Sequence, residues 1–209
     1  MEKQLAFYFD MSACVGCKAC QVACKDKNDL PVGLRWRRVL EYGGGDWIKH
    51  PTLANLVVPT SVFAYAISTA CMHCQSPLCA QICPTAAITK RADGIVLVNQ
   101  DQCIGCRYCE WACPYGAPQF NERKGVMTKC NFCEDLLAKG ENPVCVAACP
   151  MRALEFGDLA ELQTKYGKDN AFAPWPSADL TRPALVVTPH KHAFPSGKGG
   201  GMILDPEEM

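Results

Sequence analysis

The apolar positions of the chain fall into short segments separated by polar and glycine-containing stretches. QLAFYFD (residues 4–10), VFAYAIS (62–68), GIVLV (94–98), ALEFG (153–157) and ALVVTPH (184–190) each read as a strand, being alternating or continuously apolar and rich in β-branched and aromatic side chains. Asp93-Gly94 supplies a turn before GIVLV, which fits a hairpin after a helix begun at Pro84. LAELQTKYG (159–167) has the spacing of a short amphipathic helix. Residues 28–60, with Trp36, Trp47 and the run Gly43, Gly44, Gly45, read as an irregular insertion. The segment after Asp158 carries Pro174, Pro176, Pro183, Pro189 and Pro195, then GKGGG and an acidic end. Such a composition forms no core of its own. It suits either disorder or an extended arm that orders against a partner, with ALVVTPH as one ordered strand. The pattern predicts an α+β architecture with little conventional hydrophobic core.

Sixteen cysteines change that picture. They form four quartets with none left over. Cys14, Cys17, Cys20 and Cys24 read CxxCxxCxxxC. Cys71, Cys74, Cys79 and Cys83 read CxxCxxxxCxxxCP. Cys103, Cys106, Cys109 and Cys113 read CxxCxxCxxxCP. In Cys130, Cys133, Cys145 and Cys149 an eleven-residue gap splits two pairs before CP. Disulfides are the ordinary reading of a cysteine-rich sequence, but they belong to short secreted scaffolds. Zinc accounts for paired CxxC units, so it could take the fourth quartet alone. Only iron–sulfur ligation accounts for CxxCxxCxxxCP. In such a run three cysteines wrap one cubane, and the fourth opens a short helix and ligates the other cluster of a pair. Proline after it suits a first helical turn. Gly16 and Gly105 allow the backbone close to the cluster. Lys25 stands where the first quartet would have its proline. The reading is four [4Fe–4S] clusters, with iron held by all sixteen cysteines, in two ferredoxin-like halves.

Charge adds one constraint. Lys+Arg and Asp+Glu number 21 each over 209 residues, so no basic excess points to nucleic acid. Sixteen thiolates and four oxidised cubane cores would bring the loaded protein to roughly −8. The most apolar stretch, 56–68, is too short to span a bilayer and contains Pro59. The N-terminus reads as neither a secretory nor a twin-arginine leader. A folded subunit can still cross a membrane with a partner that carries the signal.

EYGGGDW (41–47), CIGCRYCEWACPYGAPQFNERKG (103–125), MTKC (127–130) and TRPALVVTP (181–189), together with the order of the quartets, resemble the electron-transfer subunits of the dimethyl sulfoxide reductase family of molybdenum enzymes, in particular those of anaerobic respiration. Subunits serving polysulfide, thiosulfate, selenate or formate enzymes look alike. The resemblance spans nearly the whole sequence. It implies interlocked halves: residues 1–62 with 125–160, an inserted half at 63–124, and an extended arm at 161–209. It implies four ligand sets: Cys14, Cys17, Cys20 and Cys149; Cys130, Cys133, Cys145 and Cys24; Cys71, Cys74, Cys79 and Cys113; and Cys103, Cys106, Cys109 and Cys83. Nitrate reductase relatives have tryptophan at the place of Cys106 and a [3Fe–4S] cluster there; a cysteine implies a fourth cubane. It also implies two partners, a molybdopterin catalytic subunit and a quinol-oxidising membrane anchor. The Cys14 cluster is expected nearest the former and the Cys130 cluster nearest the latter. The subunit would sit peripherally on a membrane, on the periplasmic face by co-export with a twin-arginine partner or else on the cytoplasmic face.

Other residues have ordinary readings. His73, between Cys71 and Cys74, reads as a surface or supporting residue. His50, His190 and His192 form no ligand set. Tyr108, Trp111 and Tyr115 read as packing. Lys18, Arg107 and Lys129 adjoin ligating cysteines, where positive charge either raises a cluster potential or is solvated surface. No nucleophile–base pair, phosphate loop or pterin signature is visible, so the protein is expected to have no catalytic site. The rival class is a free polyferredoxin, which needs neither the long tail nor the 28–60 insertion; a metal-stabilised scaffold without redox work is a third.

Overall fold

The computed structural model describes residues 3–53 and 55–208. Its elements in order along the sequence are β1 (Leu5–Asp10), α1 (Ala19–Lys27), β2 (Arg38–Lys49), β3 (Val57–Thr69), α2 (Leu78–Gln81), β4 (Ile88–Lys90), β5 (Val96–Val98), α3 (Tyr108–Ala112), β6 (Gln119–Asn121), β7 (Val126–Thr128), α4 (Glu134–Leu137), α5 (Val144–Ala147), β8 (Leu154–Asp158), α6 (Leu159–Tyr166), β9 (Leu185–Thr188) and β10 (Met202–Ile203). The five segments read as strands lie in β1, β3, β5, β8 and β9, and the amphipathic segment is α6. The fold is mixed α and β.

β1 organises one end. It is the middle strand of the order β8-β1-β9, antiparallel to β8 with Phe7 opposite Phe156, and parallel to β9 with Phe7 opposite Leu185. Its side chains alternate between two buried faces. Phe7 and Phe9 pack with Val39, Ile67, Phe132 and Leu154. Ala6 and Tyr8 pack with Leu159, Leu162 and Val186, so α6 covers the second face. Asp158 caps α6 by accepting the Ala160 N–H at 2.9 Å. The first of these clusters is a contiguous apolar core that also takes in Tyr42, Tyr65, Trp175 and Val187. The expectation of little conventional core is therefore corrected.

Three further expectations change. Residues 28–60 are not an irregular insertion, because β2 and β3 pair across them in a long antiparallel hairpin with a bulge between Gly44 and Asp46. The glycine run hid it. Gly43–Gly45 supply no side-chain alternation, but they leave room for the tail: a Cβ on Gly201 would lie 2.7 Å from the Gly43 carbonyl oxygen, and β10 pairs with β2 there. The tail itself is ordered against the body of the same molecule. β9 completes the first sheet, the Ala184 N–H donates to the Met72 carbonyl at 3.0 Å, and Thr181 is buried against Tyr115. Lastly, no helix starts at Pro84. The helices carry the third cysteine of each Cys-Pro run and stop short of the fourth: α2 contains Cys79 and ends before Cys83, α3 contains Cys109 and ends before Cys113, and α5 contains Cys145 and ends before Cys149. Proline pushes the residue before it out of the helical region, and Cys113 is extended, with φ −84° and ψ 113°.

Candidate metal centre

All sixteen thiols are free of disulfides. Each run turns tightly on itself, and the residue before the second cysteine has positive φ in every case: Gly16 (68°), His73 (42°), Gly105 (69°) and Phe132 (62°). A side chain costs conformational energy there. At Gly105 a Cβ would also collide with the Gly125 carbonyl oxygen. His73 and Phe132 accept that conformation and are both fully buried, ring against ring at 5.1 Å.

The turns bring cysteines together across quartets. Cys14, Cys17, Cys20 and Cys149 line one small cavity of about 20 Å³. Burial raises the Cys14 thiol, and the charges of Cys20, Cys149 and Cys17 raise it further. Burial pushes Cys24 up to about 12, with Cys145 and Cys133 adding and Arg37 opposing. Burial likewise pushes Cys79 up to about 12, with Cys71, Cys113 and Cys74 among its neighbours. Cys109 is pushed up to about 11 by burial and by Cys103, Cys106 and Cys83. Cys130 in turn has Cys24 among its neighbours, so the fourth cysteine of each run lies near three cysteines of another. Among the described residues no three His, Cys, Asp or Glu side chains stand close enough to hold a single metal ion, whereas a tetrahedral zinc site draws its sulfurs to about 2.3 Å from one centre.

The groups form a row. Cys20 feels Cys145, which joins the Cys14 group to the Cys130 group. Cys130 packs with Cys71 and Cys113, which joins the second group to the third. Cys79, Cys83, Cys103 and Cys109 share one apolar cluster at the far end. Cys130 is therefore flanked on both sides. The Cys103 group lies at the end of the row.

Backbone N–H groups aim at sulfur, as a thiolate ligand requires. The sequence CPxxA recurs as 83–87, 113–117 and 149–153. Its fourth residue has positive φ (Ala86 53°, Gly116 59°, Arg152 53°), which turns the following alanine amide back to the cysteine. The Ala117 N–H donates to Cys113 Sγ at 3.5 Å, and the Ala153 N–H to Cys149 Sγ at 3.3 Å. At Cys83 burial raises the thiol, but the Thr85 hydroxyl and the amides of Ile88, Thr85 and Ala87 outweigh it and the net shift is downward. The first run lacks CPxxA. There α1 continues through Cys24, and Asn28 Nδ2 approaches its sulfur at 3.8 Å. Sequence reasoning missed this device, although the alanine four residues after each Cys-Pro cysteine was its visible trace.

The charged and aromatic candidates separate by environment. Lys18 is paired with Glu208 at 2.9 Å and Asp205 at 3.4 Å, and Arg107 with Glu110 at 2.7 Å. Lys129 is buried and donates to the carbonyls of Val96 and Cys130, so it is not solvated surface. His73 is not at the surface either: its Nδ1 accepts the Val96 N–H at 3.0 Å, and burial, then Lys129 and Arg37, hold it well below 6.5. Tyr115 packs as expected and bonds Thr181 at 3.0 Å, but Tyr108 and Trp111 are exposed and do not pack the interior. Arg37, which no sequence signal singled out, is buried; burial opposes its charge, while Cys145, Cys20, Cys130 and Cys24, cysteines of two groups, favour it.

Sixteen cysteines gathered in fours define an iron–sulfur electron-transfer protein. The 4Fe-4S dicluster domain family matches residues 62–159. The whole sequence is 48% identical to the B subunit of anaerobic dimethyl sulfoxide reductase from Escherichia coli, with 100% of each protein covered. It is 48% identical to the corresponding subunit of Haemophilus influenzae, over 99% of this protein and 100% of that one. The B subunit of polysulfide reductase from Wolinella succinogenes is 38% identical, over 91% and 97% respectively. This protein belongs to the family of iron–sulfur B subunits of the anaerobic dimethyl sulfoxide reductases. It is an electron-transfer subunit carrying [4Fe–4S] clusters, and catalysis belongs to other subunits of such complexes.

Proposed function

We propose that this protein relays electrons through four cubanes between a quinol-oxidising membrane anchor and a molybdopterin catalytic subunit of dimethyl sulfoxide reductase type. The ligand sets are Cys14, Cys17, Cys20 with Cys149; Cys130, Cys133, Cys145 with Cys24; Cys71, Cys74, Cys79 with Cys113; and Cys103, Cys106, Cys109 with Cys83. The observation that supports this reading is the nearness of the fourth cysteine of each run to cysteines of another run. It also supports two interlocked ferredoxin-like halves, residues 1–62 with 125–160 and residues 63–124. Cubanes held by these cysteines would supply one-electron uptake and release. The protein's own part is to hold thiolates, exclude water and aim amide N–H groups at sulfur.

Partners meet the two ends of the row. Exposed Val15, Val22 and Met151 adjoin the Cys14 group, and exposed Ile104, Tyr108 and Trp111 adjoin the Cys103 group. The catalytic subunit takes the first end and the anchor the second. Among the described residues no helix is long and apolar enough to cross a membrane, which suits a peripheral subunit held by its anchor on the periplasmic face.

Anaerobically purified subunit should hold about sixteen iron and sixteen sulfide per molecule. Twelve iron with stoichiometric zinc would contradict four cubanes. Electron paramagnetic resonance tests the ligand exchange. Cys83→Ser and Cys103→Ser should alter the same cluster signal, and Cys113→Ser should alter the signal changed by Cys71→Ser. If Cys83→Ser instead tracks Cys71→Ser, each run holds its own cluster and the proposed sets are wrong.

A further inference from the structure

We propose that Arg37 is a positioning residue that sets, by its fixed charge, the reduction potentials of the two clusters it lies between; the proposal rests on the ligand sets given above. Arg37 is 3% exposed. Its Nη1 donates to Ser68 Oγ at 3.0 Å, and that hydroxyl lies 3.4 Å from Cys20 Sγ. The guanidinium rests 4.9 Å from the centroid of the Phe7 ring. Among the described residues no carboxylate forms an ion pair with it, in contrast to Lys18 and Arg107.

An unpaired cation in an apolar interior is costly. Among the described residues the negative charges that favour its cationic form most are cysteine thiolates. Ser68 ties the guanidinium to Cys20 of the first ligand set, and Cys145, Cys130 and Cys24 of the second lie near enough for their charges to act on it. A guanidinium keeps its charge across the working pH range, so this is a constant field and not a titrating one. Reduction adds one electron to a cubane and takes its charge, thiolates included, from about −2 to −3. No bond forms or breaks and no proton moves. The electron comes from a redox mediator in a titration, and from the neighbouring cluster in the complex. A buried positive charge favours the more negative state and so raises both potentials. Lys18 and Arg107 carry their neutralising carboxylates with them and exert little net field.

The test is a potentiometric titration of the purified subunit complex, followed by electron paramagnetic resonance, for Arg37→Met, Arg37→Gln and Arg37→Lys, with iron content measured on each. The paired Cys83→Ser and Cys103→Ser, and Cys113→Ser and Cys71→Ser, variants test the ligand sets independently of this question. With sixteen iron retained, Arg37→Met and Arg37→Gln should move two of the four midpoints to more negative values and leave the other two in place. Arg37→Lys should restore both. If the neutral variants lose iron while Arg37→Lys keeps it and the native midpoints, the charge requirement is again supported. Unmoved midpoints in loaded neutral variants would overturn the proposal, as would an equal shift of all four. Loss of clusters in Arg37→Lys would also overturn it, since the guanidinium shape and not its charge would then be what matters.

Discussion

Four residues occupy equivalent places in four turns, two of them glycine and two of them rings. His73 and Phe132 hold left-handed backbone that a glycine would adopt freely, and they meet each other where the third and second cysteine groups adjoin. Packing offsets the backbone cost. Phe132 stacks on Phe7 at 4.1 Å and touches Phe156 edge-on. Phe132→Ala should therefore cost about 3–5 kcal/mol, as a large core truncation does, despite easing the backbone little. The check is the guanidinium midpoint of the anaerobic subunit. An unchanged midpoint would mean that the ring contributes little to the stability of this core. Gly105→Ala should fail for the opposite reason, because the new methyl meets the Gly125 carbonyl. Its expected readout is loss of about four iron per molecule, the content of one cubane.

The tail is the element whose behaviour departs most from its composition. Its prolines and glycines read as an arm awaiting a partner, yet the partner is the body of its own molecule. Cutting after Asp169 removes β9, Trp175 and Val187 from the core, and iron content should collapse with solubility. Cutting after His190 spares β9 and should leave the clusters in place. Equal iron in both truncations would show that β9 is dispensable. The last turn is held by charge. The Lys18 ammonium holds the Glu208 carboxyl below its usual 4.5. A depressed carboxylate contributes fully above the usual value and fades as pH falls through the lowered one. Protection of the β10 amides from hydrogen exchange should follow that course below about pH 4.5, and Glu208→Gln should show weak protection throughout.

The same contrast explains what was legible in the sequence. β1, β8, β9 and α6 were readable because each buries a patterned face. The β2–β3 hairpin was not, since its glycines and outward apolar residues break the alternation. The helices were misplaced because Cys-Pro marks the end of a four- or five-residue helix here, and helices so short carry no periodicity. The membership of the four cysteine groups came from resemblance, since spacing alone leaves the exchange partners open. Arg37 and the buried state of His73 and Lys129 had no local signal at all, because burial of a lone polar residue is decided by distant segments.

At the scale of the whole molecule, the first strand is closed by nearly the last. β1 pairs in parallel with β9, so Phe7 waits for Leu185. Parallel pairing at such separation is slow to form and cannot begin before both partners exist. On the ribosome the first run of cysteines emerges well before β9 and β10. Through that interval the nascent polypeptide is an open clamp. The sheet around β1 closes only when β9 arrives, so loading of iron and sulfide before that point should be easier than after it.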